Sequence, residues 1–305
     1  MKHPVIHTNL ALAESIQHAL LYYNKLAIDH LEKKTLVHYH IHETRLCCKR
    51  IRSLLRLVRP GLSPETYDRF NTFYRDQARE LSIIRDFTAL SETLQKFLDS
   101  THNEKSRKFI VWFRNQLLKK RRQTAVNQEF GVVRSGIRNA FEQQSEIISG
   151  LEFDDNHTSV LGRGFQKIYR KGRKQLELNL QQTDDHIMHQ WRKQVKYLWY
   201  QLVFLQPLWP RIIDSFATEF KELSKQLGNH HDLVVMLQAL KELKQEGRML
   251  QEIRMVERMC RSKKYRLEKT SVYAGKKLFL SQGQSLDHLI DSLYALSTGP
   301  DAFGK

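Results

Sequence analysis

The chain has 305 residues, 41% of them hydrophobic, and its 50 Lys plus Arg against 33 Asp plus Glu leave a formal net charge of +17. That length can bury a core as one large domain or two of about 150 residues, and only 13 glycines and 6 prolines among abundant helix formers point to an all-α protein. No apolar run of about 18 residues could span a bilayer, the N-terminal MKHPVIHTNLALAES lacks a signal-peptide h-region, and Cys47, Cys48 and Cys260 make no disulfide framework, so a cytoplasmic protein is expected.

In chain order, residues 10–31 carry apolar side chains at three and four spacing, as an amphipathic helix should. A second helix is predicted from Thr35 to Arg59, stopped by Pro60 and Gly61. Ser63 then offers an N-cap with Pro64 at the first helical position, opening a third helix through Leu81. Asp86 is read as the cap of a fourth, ending near Leu98, and further helices are predicted over 103–126 and 129–149. The polar stretch GLEFDDNHTS, 150–159, is the best internal boundary. Residues 248–280 read as a long, basic final helix.

Beyond the boundary the pattern restarts. His42, Arg45, Lys49 and Leu55 moved on by 147 residues give His189, Arg192, Lys196 and Leu202, and Arg75, Arg79, Leu81 and Asp86 moved on by 146 give Lys221, Lys225, Leu227 and Asp232. A shift constant within one residue over some 65 positions predicts one domain over 1–305 built from two helical-bundle repeats, 10–149 and 158–297.

The charge is arranged in stripes. At 100° per residue, Arg45, Lys49, Arg52, Arg56 and Arg59 fall within about 40° of one line, with Leu46, Cys47, Ile51, Leu54, Leu57 and Val58 on the far side. Arg50 lands near the apolar arc and is expected to snorkel. Like charges at i,i+4 are usually relieved by interleaved acids, yet Glu43 is the only acid from Lys33 to Pro64. The same spacing recurs in Arg163, Lys167, Arg170 and Lys174; the helix after it brings His189, Arg192, Lys193 and Lys196, and third helices add Arg75 with Arg79 and Lys221 with Lys225. Stripes brought together would suit a long, flexible, densely charged anion. A nucleic acid, an anionic membrane and a phosphate polymer are the candidates.

The quoted segments also carry a family resemblance. IHETRLCCKRIR (Ile41–Arg52) resembles the V-H-x-x-R-V-x-x-[RK]-R-[LI]-R signature of the CHAD family, the conserved-histidine α-helical domain, and LSIIRD (Leu81–Asp86) resembles its L-G-x-x-R-D element. HQWRKQVKYLWY (His189–Tyr200) and LGNHHD (Leu227–Asp232) resemble the two corresponding elements of a second half. The likeness runs from about Ser15 to Leu296, departing where Trp199 stands for an arginine, Ser82 for a glycine, and His231 before the aspartate. It implies two pseudo-symmetric four-helix bundles around a basic central cavity, and non-catalytic binding of inorganic polyphosphate. Carried over by position, the family's basic residues fall on His42, Arg45, Lys49, Arg52, Arg75, Arg79, Arg85, His189, Arg192 and Lys196. No cofactor or metal is implied. Polyphosphate granules and a polyphosphate-metabolising enzyme become candidate partners, with a cytoplasmic, granule-associated location.

Competing readings are weaker. His38, His40 and His42 would converge on a metal in a strand but diverge by about 200° per step in a helix. His42 and His189 read either as donors to phosphate when protonated or as satisfied, half-buried histidines, and both readings stand at this point. Asp86 and Asp232 read as N-caps that also orient a basic side chain. With no P-loop, nucleophile elbow or ordered acidic cluster for Mg²⁺, an enzyme is not expected. Non-specific RNA or DNA binding through the same basic surface is the runner-up. Trp112, Phe113, Tyr197 and Trp199 sit at spacings of the core or its edge rather than on a stacking face, and KSRKF, LLKKRRQ and RSKKYR read mostly as solvated helix surface, with a contact to RNA, granules or membranes left open.

Overall fold

The structure, a computed structural model, describes residues 3–33, 37–127, 130–153, 159–245, 249–280 and 286–298, without the side chains of 37, 83–89, 100, 120–127, 130 and 245. The described residues form eleven α-helices and no strand: α1 (Leu12–Glu32), α2 (Val37–Leu57), α3 (Pro64–Glu80), α4 (Ser82–Ser100), α5 (Glu104–Asn127), α6 (Phe130–Ser149), α7 (Val160–Gln181), α8 (Asp185–Leu205), α9 (Pro210–Gln245), α10 (Leu250–Leu278) and α11 (Leu286–Thr298). None is long and apolar enough to cross a membrane.

Local chemistry sets the helix starts. Ser63 Oγ accepts the Thr66 N–H at 3.1 Å with Pro64 at the first helical position, and Asp184 accepts from the His186 and Ile187 amides at 2.8 and 3.2 Å. Two readings fail here. Asp86 lies inside α4, whose N-cap is Leu81, and Asp232 lies inside the unbroken 36-residue α9, so neither caps a helix. Nor is α10 the last helix, because α11 follows it and packs on α7.

Two hydrophobic clusters hold the chain together. The larger draws Ile16 and Leu20 of α1, Ile51 and Leu54 of α2, Phe70 of α3, Phe141 of α6, Phe165 of α7, Trp191 and Leu198 of α8, and Phe220 of α9 into one core. The smaller joins Leu94 and Phe97 of α4, Phe109 and Phe113 of α5, Met236 and Leu240 of α9, and Val256 and Cys260 of α10. Complete burial of a Leu, Ile or Phe side chain contributes about 1.5–3 kcal/mol. Cys47, Cys48 and Cys260 are buried free thiols, and burial pushes Cys48 and Cys260 up to about 12, so they pack as small hydrophobes.

Polar ties fix the packing of helices that place the site. Asn24 of α1 donates to the Phe141 carbonyl at 2.6 Å and accepts from Tyr74 at 2.8 Å, joining α1, α3 and α6. Ser53 of α2 donates to the Tyr197 carbonyl at 2.9 Å, and Gln201 of α8 donates back to the Ser53 carbonyl at 3.2 Å. These reciprocal bonds lock α2 against α8 where both carry their basic stripes. On the other side of α2, a Cβ at Gly164 of α7 would overlap the Leu57 carbonyl, so only glycine permits this approach.

Candidate functional site

Between the locked helices lies a cavity of about 840 Å³, lined from α2, α3, α4, α7, α8 and α9. From α2 come His42, Arg45, Lys49, Arg52 and Arg56, successive turns of one face. From α8 come His189, Arg192, Lys193 and Lys196, and Arg75 of α3 joins them. Ten residues expected from sequence thus share one space. Lys171, Tyr197, His231 and Asp232 line it as well.

The remaining candidates sit elsewhere. Arg163, Lys167, Arg170 and Lys174 point to solvent along α7, as do Arg79 on α3 and Lys221 and Lys225 on α9, and none lines the cavity. Lys225 lies 3.6 Å from Glu222. Arg85 lies in α4, with its side chain outside the described residues. The reason is rotational: the α7 glycines Gly162 and Gly164 lie against α11 and α2, which turns the basic arc outward and brings only Lys171 round to the cavity. Those buried glycines are the sequence signal that identifies the packed face.

Among the described residues, nine Lys and Arg side chains line the cavity against one carboxylate, Asp232. Neutral groups help to aim three of the arginines. Arg45 donates to the Ala78 carbonyl, Arg52 to Asn71 Oδ1 at 3.1 Å, and Arg56 to the Arg52 carbonyl at 2.7 Å while its guanidinium stacks 4.3 Å over Tyr197. Such partners orient a guanidinium fork without cancelling its charge. Arg75 is the exception: it is bidentate to Asp76 at 2.8 and 3.1 Å at an exposed position. Arg50, on the apolar side of α2, lies over Tyr23 and Tyr200 at 5.5 and 5.7 Å.

Crowding of like charge out of water shifts the ionisation of these groups. Burial, then Lys196, Arg45 and Arg192, hold Lys49 well below the usual lysine range. Burial, then Arg192 and Arg50, bring Lys196 down to about 7 despite the opposing carboxylate of Asp232. Arg192 is also lowered by burial, with Asp232 opposing, and its Nε is buried without a hydrogen-bond partner among the described residues. Gly228 of α9 lies beneath that guanidinium. His189 and His231 face each other, Nδ1 to Nδ1 at 3.2 Å; burial and then the neighbouring cations bring them to about 4 and about 3. Both are therefore neutral at pH 7. Their mutual hydrogen bond favours the half-buried, satisfied reading for His189, and His42 lines the cavity wall beside them.

One cluster outside the cavity has ligand-type atoms close together: Asp185, His230 and Glu268 lie within 4.8 Å of one another. The ammonium of Lys264 sits among them, 2.5 Å from Asp185 and 2.8 Å from Glu268, and His230 Nε2 is 3.0 Å from Glu268. Lys264 is thus the cation of this site, and the four residues form an ion-pair knot joining α8, α9 and α10.

Fold and cavity together define an all-α protein with a cation-lined hollow among its helices. The family model of the CHAD domain matches residues 23–241, and the chain belongs to that family. The crystal structure of the CHAD domain from the plant Ricinus communis is similar over 92% of this chain and 95% of that one, with a TM-score of 0.62 and 17% identity, a likeness of fold. No curated protein matches the sequence.

Proposed function

We propose that the protein binds inorganic polyphosphate in the cavity between α2 and α8 and does not turn it over. The observation that carries this reading is the excess of charge: nine cations, one of them the exposed, Asp76-paired Arg75, line about 840 Å³ with Asp232 as the one carboxylate among the described lining residues, and Lys49 and Lys196 are held below their usual range by burial and by one another. A monovalent anion would relieve one or two of these charges. A phosphate polymer supplies a charge at every unit and is flexible enough to follow cations on four helices, α2, α3, α7 and α8. Each contact made is a charge-assisted hydrogen bond of about 1.5–3 kcal/mol. Membership of the CHAD family supports the same ligand class. Binding without turnover fits the described lining, in which Asp232 is the one carboxylate where phosphoryl transfer uses an acidic set to hold Mg²⁺. Polyphosphate granules and polyphosphate-metabolising enzymes are partners compatible with this activity.

The test is a calorimetric titration of long-chain polyphosphate, tRNA and single-stranded DNA at about 0.15 M salt, with wild type and with Arg45→Glu, Lys49→Glu and Arg52→Glu combined. Polyphosphate should bind most tightly, and the triple variant should lose it while keeping its helical circular dichroism. Unchanged polyphosphate binding by a folded triple variant rules the cavity out.

A further inference from the structure

The outer face of α10 carries a second run of positive charge, separate from the cavity, whose lining includes no residue of this helix. Eight Lys and Arg of α10 are exposed, but none of its three glutamates is. Glu257 is taken up by Lys244 at 3.6 Å and Glu268 by the Lys264 knot. Arg254, Arg258, Arg261, Lys269 and Lys276 lie within about 40° of one line through Tyr265. At 1.5 Å per residue that track is about 33 Å long. A solvated helix normally mixes signs at i,i+4, so an exposed arc of one sign asks for a polyanion.

The exposed aromatics of α10, Tyr265 on this line and Tyr273 about 80° round from it, separate the possible polyanions. Tyr265 and Tyr273 are 58% and 64% exposed, and each ring lies against a lysine ammonium: Lys269 at 5.4 Å and Lys277 at 4.6 Å. Bare inorganic polyphosphate has no planar group to place on a tyrosine. A nucleic acid with unpaired bases does, and a strand that stacks bases on Tyr265 and Tyr273 lays its phosphates along the flanking cations. On the flank toward α4, Phe97, Met255 and Met259 also floor an open hollow rimmed by Arg258, Lys263 and Arg266, a place for a splayed base. We infer that the outer face of α10 is a binding site for single-stranded nucleic acid, independent of the cavity and of what the cavity holds.

The experiment follows the anisotropy of a fluorescein-labelled, unstructured 20-nucleotide RNA at about 0.15 M salt. Tyr265→Ala combined with Tyr273→Ala should weaken RNA binding at least tenfold, since stacking contributes about 1–3 kcal/mol per base. Polyphosphate affinity should stay within twofold. The corresponding double Phe variant, which keeps the rings, should retain RNA binding, and a perfect duplex should bind more weakly than the single strand. The inference is overturned if wild type does not bind the RNA, if the double Ala variant binds it like wild type, or if Lys49→Met combined with Lys196→Met removes it. Binding of anionic vesicles but not RNA would identify a membrane-facing surface and equally overturn it. These outcomes are independent of the polyphosphate titration, so either reading can fail alone.

Discussion

Lys49 and Lys196 concentrate the tension of the cavity. A lysine buried among like charges costs folding free energy, and a methionine of similar reach removes the charge while keeping the packing. Lys49→Met and Lys196→Met should therefore each raise the melting temperature of the ligand-free protein and weaken polyphosphate binding roughly ten- to a hundredfold, the equivalent of one charge-assisted contact. A variant that loses stability and keeps its affinity would contradict this assignment. The pH dependence has a definite sign. Lys196 titrates near 7 in the folded protein and at the ordinary lysine value when unfolded, so between those values the unfolded state holds more protons. From this group, the free protein gains stability as pH rises from about 7 toward 10. A bound polyanion raises the Lys196 pKa, so binding at pH 8 should take up protons, and affinity should fall as pH rises. Calorimetry in buffers of different ionisation enthalpy reads that uptake, and its absence would mean that Lys196 does not meet the ligand. For His189 and His231 the window lies lower: they are neutral when folded, so their contribution to stability is lost as pH falls from about 6.5 toward 4.

Helix placement depends on a few small residues and on the ties between α2 and α8. Gly164→Ala puts a methyl into the Leu57 carbonyl and should destabilise the protein by about 1–3 kcal/mol. Gly136→Ala, in α6 with nothing within 4 Å, should instead stabilise by about 0.5–1 kcal/mol through helix propensity. Thermal melts of the two variants separate a close approach from a mere gap in the helix; equal shifts would contradict the packing described. Helices with local signals were legible in the sequence: Ser63 and Pro64 open α3 where expected, and Pro60 and Gly61 follow the end of α2. What was not legible is set by tertiary contacts. Leu81 interrupts α3 and α4 although an aspartate five residues on has the better capping chemistry, and α11 is held by Asp291 accepting from the Gly162 amide at 2.8 Å and Asp287 accepting from Gln166 at 2.7 Å.

Across the whole molecule, periodicity identifies which residues share a helix face but not what that face looks at. The stripes of α2 and α7 have the same 4-3-4 spacing, yet the first is covered by α8 and lines the cavity while the second faces solvent. The site was therefore half visible: α2 and α8 could be found from their motifs, and His231 and Asp232 stand in the LGNHHD element, but that they face the cavity is set by the packing of α9, and Lys171 enters only through the packing of α7. Distributed contact predicts a steep salt dependence. If six to nine cavity cations each neutralise a phosphate, log K should fall against log salt with a slope of roughly −4 to −6, by analogy with single-stranded nucleic acids, and a slope near −1 would mean that the cavity holds one anionic group rather than a polymer. The claim is tested most directly by a crystal structure of the protein with a short polyphosphate chain. Phosphates should occupy the space between α2 and α8, within hydrogen-bonding distance of Lys49, Arg52, Arg192 and Lys196; a chain bound only on the outer faces, with that space unfilled, would contradict the account.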